Sequence, residues 1–234
     1  MSATAEMLDL FTNGEMELVG QMPNSSNATF MVTISRGEDQ LRGIYKPLRG
    51  ERPLWDFPAG LFKREVAAYQ LSQALGWDLI PLTIARDGIY GEGSVQLFIE
   101  HDPAEHYFSL YEERPDLHER LKQMAVFDVI ANNTDRKGGH TLLGLDGQVW
   151  GIDHGVCFSA EWKLRTVIWD FMGQIICDEM LEPVKRLSES TPPQFSALLS
   201  SGEIDAMHNR IDWLLEHRVF PSPESRYEYP WPLL

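Results

Sequence analysis

The stretch that decides the fold reads Asn133-Thr134-Asp135-Arg136-Lys137-Gly138-Gly139-His140, and the apolar segments 141–145 and 148–152 lead from it to Asp153-His154-Gly155. Between the two apolar segments, Asp146-Gly147 is a strong signal for a tight hairpin turn. Because a hairpin brings its two ends together, Asp135 and His140 are expected to lie close to Asp153. The sequence therefore predicts a site at which two carboxylates and an imidazole converge.

The composition is that of an ordinary globular protein. The chain has 234 residues, 43% of them hydrophobic and 24% charged, and this length suits one large domain or two small lobes. Its net charge of −15 argues against nucleic-acid binding, which needs a basic surface, and less strongly against docking on anionic lipid. No apolar run reaches the ~18 residues of a transmembrane helix. We therefore expect no nucleic-acid partner and no stable membrane anchor.

The two cysteines, Cys157 and Cys177, lie in apolar surroundings and lack the spacing of a metal site. Such cysteines are typically small buried hydrophobes in a reducing compartment. The first residues of the chain also lack the basic and apolar regions of a secretory signal. The prediction is a cytoplasmic protein whose oligomeric state the sequence does not indicate.

The pattern of apolar residues predicts strands in the first part of the chain and helices in the second. Strands are predicted over 15–20, 28–34, 41–46, 80–85 and 93–100, with one helix inserted over 61–75. Helices are predicted over 117–132, 167–179 and 201–217, around the hairpin. This order predicts a bilobal α+β fold. An antiparallel-sheet lobe would span 1–100, and a mainly helical lobe with the hairpin would span 101–234.

Phosphoryl transfer needs a cover over the phosphates, a cation on them, metal ligands and a carboxylate that orients the nucleophile. Lys46 ends the third strand, where an ammonium group can reach nucleotide phosphates, and Glu65 on the inserted helix could pair with it. Alternatively, Lys46 is an exposed strand-end lysine; the downstream aspartates favour the functional interpretation. Ser25, Ser26 and Asn27 form a turn that could cradle phosphates, although Asn and Ser are also ordinary turn residues.

Three residues around the hairpin are candidates for catalysis and metal binding. Asp135 could act as a general base on a substrate hydroxyl, or it could simply cap the turn that follows it. His140 could bind a metal ion as a neutral imidazole, or it could hydrogen-bond to the backbone. Asp153 follows an apolar strand and precedes His154-Gly155. A purely structural role explains a carboxylate at such a position poorly. We expect Asp153 to bind a Mg²⁺ ion that bridges the phosphates.

Several motifs, in this order, resemble the phosphatidylinositol 3-/4-kinase-like family and, more narrowly, an actinobacterial family of kinase-like proteins of this length. The motifs are Tyr45-Lys46-Pro47, Phe62-Lys63-Arg64-Glu65-Val66-Ala67-Ala68-Tyr69, Gly93-Ser94-Val95-Gln96-Leu97-Phe98-Ile99, Asn133-Thr134-Asp135-Arg136 and Ile152-Asp153-His154-Gly155. The resemblance implies a protein-kinase-like fold and an ATP site. It also implies a hinge from Gln96 to Ile99, with the backbone near Phe98 and Ile99 meeting adenine. The roles given above to the lysine, the glutamate and the two aspartates agree with the family pattern.

One departure from the family concerns the metal. The family usually has an asparagine ligand where this chain has His140, and imidazole prefers softer ions than Mg²⁺, so the cofactor could be Mg²⁺ or Mn²⁺. The first hypothesis is an ATP-dependent phosphotransferase that acts on a hydroxyl group of a small molecule or a protein. The alternatives are a nucleotide-binding pseudokinase that regulates a partner, and a protein nucleotidyltransferase. The aromatic segment 226–234 is expected to pack back onto the helical lobe or, alternatively, to bind a partner.

Overall fold

The computed structural model describes residues 3–23, 25 and 27–234, and the first part of the chain is built on one antiparallel sheet. Its strands are β1 (Glu15–Gln21), β2 (Phe30–Arg36), β3 (Asp39–Pro47), β4 (Thr83–Gly88) and β5 (Gly91–Leu97), in the spatial order β1-β2-β3-β5-β4. Helix α1 (Ala3–Asn13) packs against β2 and β4. Helix α2 (Leu61–Leu75), inserted between β3 and β4, packs against β4 and β5.

The sheet has an apolar face that determines which side of β3 meets the cleft. Val32 and Ile34 of β2 form one buried cluster with Phe11 of α1 and Tyr45 of β3. Because successive side chains of a strand point to opposite faces, the burial of Tyr45 sends the next side chain, Lys46, to the other face. That face borders the cleft described below.

The second part of the chain is mainly helical and carries one short hairpin. Its elements are α3 (Tyr107–Glu113), α4 (His118–Ala131), β6 (Thr141–Leu143), β7 (Val149–Gly151), α5 (Asp178–Glu189), α6 (Phe195–Leu198) and α7 (Ser201–His217). The main apolar core joins α4, α5 and α7 to α2. Gly147 has a φ of 78°, the left-handed conformation that suits the Asp146-Gly147 turn. The predicted α+β fold, with an antiparallel sheet and a mainly helical second part, is confirmed.

The helix predicted over 167–179 is wrong, because α5 begins only at the end of this range. Long-range hydrogen bonds hold the segment instead. The N–H of Val167 donates to the carbonyl of Arg136 at 3.0 Å, and that of Gly173 to the carbonyl of Phe220 at 3.0 Å. These partners are distant in the sequence, so the local spacing of apolar residues could not reveal them. That spacing taken alone indicated a helix. Helices α1 and α3 were not predicted from the sequence, and β4 lies later in the chain than predicted.

The segment 226–234 packs back onto the helical part of the molecule. The N–H of Thr166 donates to the carbonyl of Glu228 at 3.0 Å, and the N–H of Gly138 donates to the carbonyl of Leu233 at 2.7 Å. The segment therefore contacts both the loop before the hairpin and the chain that follows it.

Of the two cysteines, Cys157 is buried as expected, whereas Cys177 is exposed, so the prediction of two buried thiols is half wrong. Among the described residues, no helix has both the length and the apolar character needed to cross a membrane. The division of the chain into lobes at residue 100 stays a prediction.

Candidate active site

A cleft of about 690 Å³ lies between the sheet and the helical part of the chain. Its walls come from β3, β5 and α2 on one side, and from the hairpin and the loop before it on the other. The predicted site residues that the structure describes all line it: Ser25, Asn27, Lys46, Glu65, Gln96, Phe98, Ile99, Asp135, His140 and Asp153. Ser26, also predicted, lies outside the described residues.

Lys46 meets two carboxylates in this cleft. Its ammonium group contacts Glu65 of α2 and lies 2.8 Å from Oδ1 of Asp153. Burial disfavours the charged lysine, but the charges of Asp153 and Glu65 outweigh burial and raise the pKa of Lys46 above its usual value. The charge of Lys46 in turn holds the pKa of Asp153 well below its usual range. Lys46 is therefore a fixed cation rather than an exposed strand-end lysine.

Glu65 joins the sheet to the chain that follows the hairpin. Its side chain is 3% exposed, with one oxygen against Lys46 and the other accepting the N–H of His154 at 2.9 Å. Asp153 has a φ of 62°, which is uncommon for a residue other than glycine. Conformations of this kind persist where surrounding contacts hold them, often at functional sites. The hydrogen bond from His154 to Glu65 is one such contact.

His140 faces Asp153 from the start of the hairpin. Its Nδ1 lies 2.9 Å from the backbone oxygen of Asp135, and its Nε2 lies 3.5 Å from Oδ2 of Asp153. Burial lowers the pKa of His140, although the neighbouring carboxylates oppose this shift, so the ring is neutral at pH 7. The backbone N–H of Lys137 also lies 3.5 Å from Nδ1, but the contact with the carbonyl is much shorter and a carbonyl oxygen only accepts, so these contacts favour the tautomer with the proton on Nδ1. The ring therefore contacts the backbone and faces Asp153, whereas metal binding by His140 stays a prediction.

The donor atoms of Asp153 and His140 fit a divalent cation. A carboxylate oxygen and an unprotonated ring nitrogen face each other at 3.5 Å. The N–H of the same ring donates to a backbone carbonyl, which is how metal-binding histidines are commonly held. In the part of the chain that the structure describes, no group of three or more His, Cys, Asp or Glu side chains could hold an ion alone. Phosphate oxygens of a nucleotide would have to complete the coordination.

Asp135 lies in the loop before the hairpin and lines the cleft. Its Oδ2 is 3.3 Å from Nζ of Lys137, and its backbone N–H donates to the side-chain oxygen of Asn133 at 3.0 Å. Burial raises the pKa of Asp135, and the charge of Lys137 only partly offsets the shift. A carboxylate with a raised pKa is a better proton acceptor, which suits a general base. Lys137, which was not predicted as a site residue, also lines the cleft.

A buried ion pair holds this loop. Arg136 and Asp128 are both 0% exposed, and Nη2 of Arg136 lies 2.9 Å from Oδ1 of Asp128. Arg136 also donates to the carbonyl of His140 at 3.0 Å and to Nε2 of His154 at 2.7 Å. Burial and the charge of Arg136 lower the pKa of His154 far below its usual value, so a neutral ring accepts this bond. In the sequence, the one sign of this network was Asp128, an aspartate among the apolar residues of α4. Its pairing with Arg136 was not predicted.

The predicted hinge residues lie along the same cleft. Gln96 is buried, and its side-chain amide donates to the hydroxyl of Thr83 at 2.9 Å. The N–H of Phe98 donates to the carbonyl of Arg42 at 3.0 Å, so this group is already used. The N–H of Ile99 has no partner within residues 3–23, 25 and 27–234. Of the two backbone groups expected to meet adenine, only the N–H of Ile99 is free to donate.

The turn between β1 and β2 is tied to the loop that follows β3. The N–H of Ala28 donates to the carbonyl of Gly50 at 2.9 Å, and the N–H of Arg52 donates to the side-chain oxygen of Asn27 at 2.9 Å. Asn27 therefore fixes the loop in addition to lining the cleft. Arg52 lines the cleft as well, and it is a cation that the sequence analysis missed.

Comparisons with known proteins agree with this geometry. The crystal structure of CtkA, a proinflammatory kinase of Helicobacter pylori, matches with a TM-score of 0.50 at 12% identity, over 90% of this chain and 94% of that one. This likeness concerns the fold alone. A family model for phosphatidylinositol 3- and 4-kinase matches residues 86–188. Protein Rv2133c of Mycobacterium tuberculosis is 40% identical over 260 residues, covering 95% of this chain and 94% of the relative.

The chain belongs to the phosphatidylinositol 3-/4-kinase-like family. The matched range 86–188 includes the hinge, the loop with Asp135, the hairpin and Asp153, which border the cleft from both sides. Lys46 and Glu65 lie outside that range, but the alignment with the mycobacterial relative covers nearly the whole chain. A mycobacterial relative agrees with the actinobacterial branch of the phosphatidylinositol 3-/4-kinase-like family that the sequence predicted.

Proposed function

We propose that this protein is an ATP-dependent phosphotransferase, which moves the γ-phosphoryl group of ATP to a hydroxyl group of a small molecule or a protein. The observation that supports the proposal most directly is the 2.8 Å contact between Lys46 and Asp153, which are 107 residues apart in the sequence, with Glu65 against the same ammonium group. Phosphoryl transfer needs such a fixed cation beside a carboxylate that can bind a metal ion. The membership in a kinase-like family supports the same chemistry.

In the proposed reaction, Asp135 is the general base. It accepts the proton of the acceptor hydroxyl while the hydroxyl oxygen bonds to the γ-phosphorus of ATP. The bond between the γ-phosphorus and the bridging oxygen breaks, and ADP leaves with that electron pair. Lys46 contacts the phosphates throughout, and Lys137 and Arg52 are further cations in the cleft for their oxygens.

The remaining cleft residues are proposed to bind the nucleotide. Asp153 and His140 would hold Mg²⁺ or Mn²⁺, and such an ion neutralises phosphate charge during transfer. Ser25 and Asn27 would contact the phosphates from the turn between β1 and β2. The N–H of Ile99 would donate to adenine, with the hinge backbone around it forming the edge of that site.

We also propose a soluble acceptor in the cytoplasm rather than a membrane lipid. The net charge of −15 disfavours approach to an anionic lipid surface. Both cysteines are free thiols, as expected in a reducing compartment where ATP is present.

The test is the thermal shift of the wild type with ATP, GTP or ADP, each with Mg²⁺ or Mn²⁺. Asp153→Ala is compared with Asp116→Ala, whose carboxylate is exposed and pairs with Arg114 away from the cleft. We expect a metal-dependent rise in Tm of several degrees, because a ligand that binds only the folded state stabilises it. This rise should be lost in Asp153→Ala and kept in Asp116→Ala. No rise with any nucleotide would contradict the proposal.

The transfer step is followed with ATP labelled in either the γ- or the α-phosphate. Label that moves only from the γ-position supports phosphoryl transfer. Label that moves from the α-position indicates nucleotidyl transfer instead. Nucleotide binding without hydrolysis or transfer would favour a nucleotide-binding regulator.

A further inference from the structure

We propose that the pair His140 and Asp153 makes this site select a divalent transition-metal ion, such as Mn²⁺, over Mg²⁺, with one imidazole nitrogen bound directly to the ion. The inference rests on the proposed nucleotide binding, because the nucleotide supplies the remaining ligands. Beyond nucleotide binding, one of the protein's ligand atoms is nitrogen rather than oxygen. This atom determines which metal ion the site prefers.

The His140 ring is oriented so that one of its nitrogens faces Asp153. Its Nδ1 lies 2.9 Å from the backbone oxygen of Asp135, and its Nε2 lies 3.5 Å from Oδ2 of Asp153. A ring nitrogen and a carboxylate oxygen at this separation could both bind one ion lying between them. The contact of the other ring nitrogen with a backbone carbonyl is how metal-binding histidines are commonly held.

The protein holds the His140 ring in place before any ion binds. The side chain of His140 is only 16% exposed. Its carbonyl oxygen accepts from Arg136 at 3.0 Å and from the backbone N–H of Ile152 at 3.0 Å, so both the loop and the hairpin fix the residue. An imidazole fixed in this way remains a ligand instead of swinging aside for water.

Divalent ions differ in the ligand atoms that they prefer. Mg²⁺ favours an all-oxygen octahedral shell and keeps its water, whereas transition-metal ions accept imidazole nitrogen readily. In the described residues, Asp153 and His140 have no third His, Cys, Asp or Glu close enough to complete a site. Of the two ligand atoms that these side chains offer to the ion, one is therefore nitrogen. The nitrogen thus has a large influence on which ion is preferred.

The test uses Mn²⁺ and ATP with the full chain and reads the spin-echo modulation of Mn²⁺ in electron paramagnetic resonance. The wild type is expected to show coupling to a directly bound ¹⁴N nucleus, and His140→Asn is expected to lose it. His101→Asn is the control, because His101 lines the same cleft but bonds through Nδ1 to the carbonyl of Ile99. This control should keep the coupling.

The second readout is the ratio of Mn²⁺ to Mg²⁺ affinity in the presence of ATP, measured by titration. Replacing the imidazole by an amide should lower this ratio about tenfold, because the nitrogen ligand is lost. An unchanged ratio in His140→Asn, or no ¹⁴N coupling in the wild type, would overturn the inference. If His140→Asn does not fold, the wild-type spectrum decides alone. Failure of nucleotide to bind at all is a separate result, which the thermal shift detects and which overturns the proposed function as well.

Discussion

Glu65 binds the ammonium group of Lys46 with one carboxylate oxygen and the backbone N–H of His154 with the other, the latter at 2.9 Å. The first contact reaches β3 of the sheet, and the second reaches the chain directly after Asp153. One buried side chain on α2 therefore sets the position of the candidate phosphate-binding lysine relative to the candidate metal-binding aspartate.

This relationship predicts the effect of Glu65→Gln. The glutamine oxygen can still accept the N–H of His154, but the charge that holds Lys46 is lost. We expect kcat/KM for phosphoryl transfer to fall roughly 10²-fold, comparable with the loss of one preorganised electrostatic group. Glu203→Gln is the control, because Glu203 pairs with Arg64 outside the lining of the cleft. Equal activity of the two variants would argue against the role of Glu65.

The buried pair of Arg136 and Asp128 predicts a large loss of stability in Asp128→Ala. Both side chains are 0% exposed, so the variant leaves an uncompensated guanidinium in the interior. We expect the free energy of unfolding to fall by about 3–5 kcal/mol. Asp116→Ala, which removes an exposed partner of Arg114, should leave the free energy of unfolding nearly unchanged. Denaturant titration measures both, and similar values for the two variants would refute the assignment.

The parts of the site that could be predicted from the sequence are those with local signals. The Asp146-Gly147 turn between two apolar segments determines the hairpin, and the hairpin brings His140 to within 3.5 Å of Asp153. Lys46 was located by its position at the end of the third predicted strand. These features depend on neighbours in the sequence, so the pattern of residues is sufficient to predict them.

The parts that could not be predicted depend on distant partners. The segment 167–177 has the apolar spacing of a helix, but hydrogen bonds to Arg136 and Phe220 keep it extended and turned. The backbone hydrogen bond from Phe98 to Arg42 leaves the N–H of Ile99, rather than that of Phe98, available at the hinge. Nothing in the sequence around Phe98 or around Arg42 indicates this bond. Asp128 was visible as a polar residue in an apolar helix, but nothing in the sequence pairs it with Arg136.

The raised pKa of Asp135 predicts the pH dependence of transfer. The base must be ionised, so the rate should rise with pH, and its midpoint should lie above 3.8 because burial raises this pKa. A carboxyl whose pKa is raised by folding stabilises the protein below its unfolded pKa, and this contribution is lost as the pH rises through the folded pKa.

Asp135→Asn should therefore separate activity from stability. The variant has no base, and we expect transfer to fall about 10²–10⁴-fold. At pH 7 its Tm should be equal to or higher than that of the wild type, because a buried charge has been removed. Transfer is measured with γ-labelled ATP and Tm by calorimetry. A clearly lower Tm in the variant would show that the ionised Asp135 stabilises the fold, contrary to this argument.

The last segment of the chain touches the loop that carries Asp135. The N–H of Gly138, three residues after Asp135, donates to the carbonyl of Leu233 at 2.7 Å. A Cβ atom on Gly138 would lie 2.8 Å from Leu234 and 2.9 Å from Phe108, whereas a Cβ on Gly139 would meet nothing within 4 Å. Two adjacent glycines therefore differ sharply in how much space surrounds them.

This difference makes Gly138→Ala and Gly139→Ala a matched pair. In Gly138→Ala the added methyl group must displace Leu234 or the ring of Phe108, and either shift loosens the support of the loop. We expect a loss of about 1–3 kcal/mol in stability from this overpacking. A several-fold fall in transfer should accompany it, because Asp135 is held less accurately. Gly139→Ala should match the wild type in both measurements. If both variants behave alike, the contact with segment 226–234 does not support the catalytic loop.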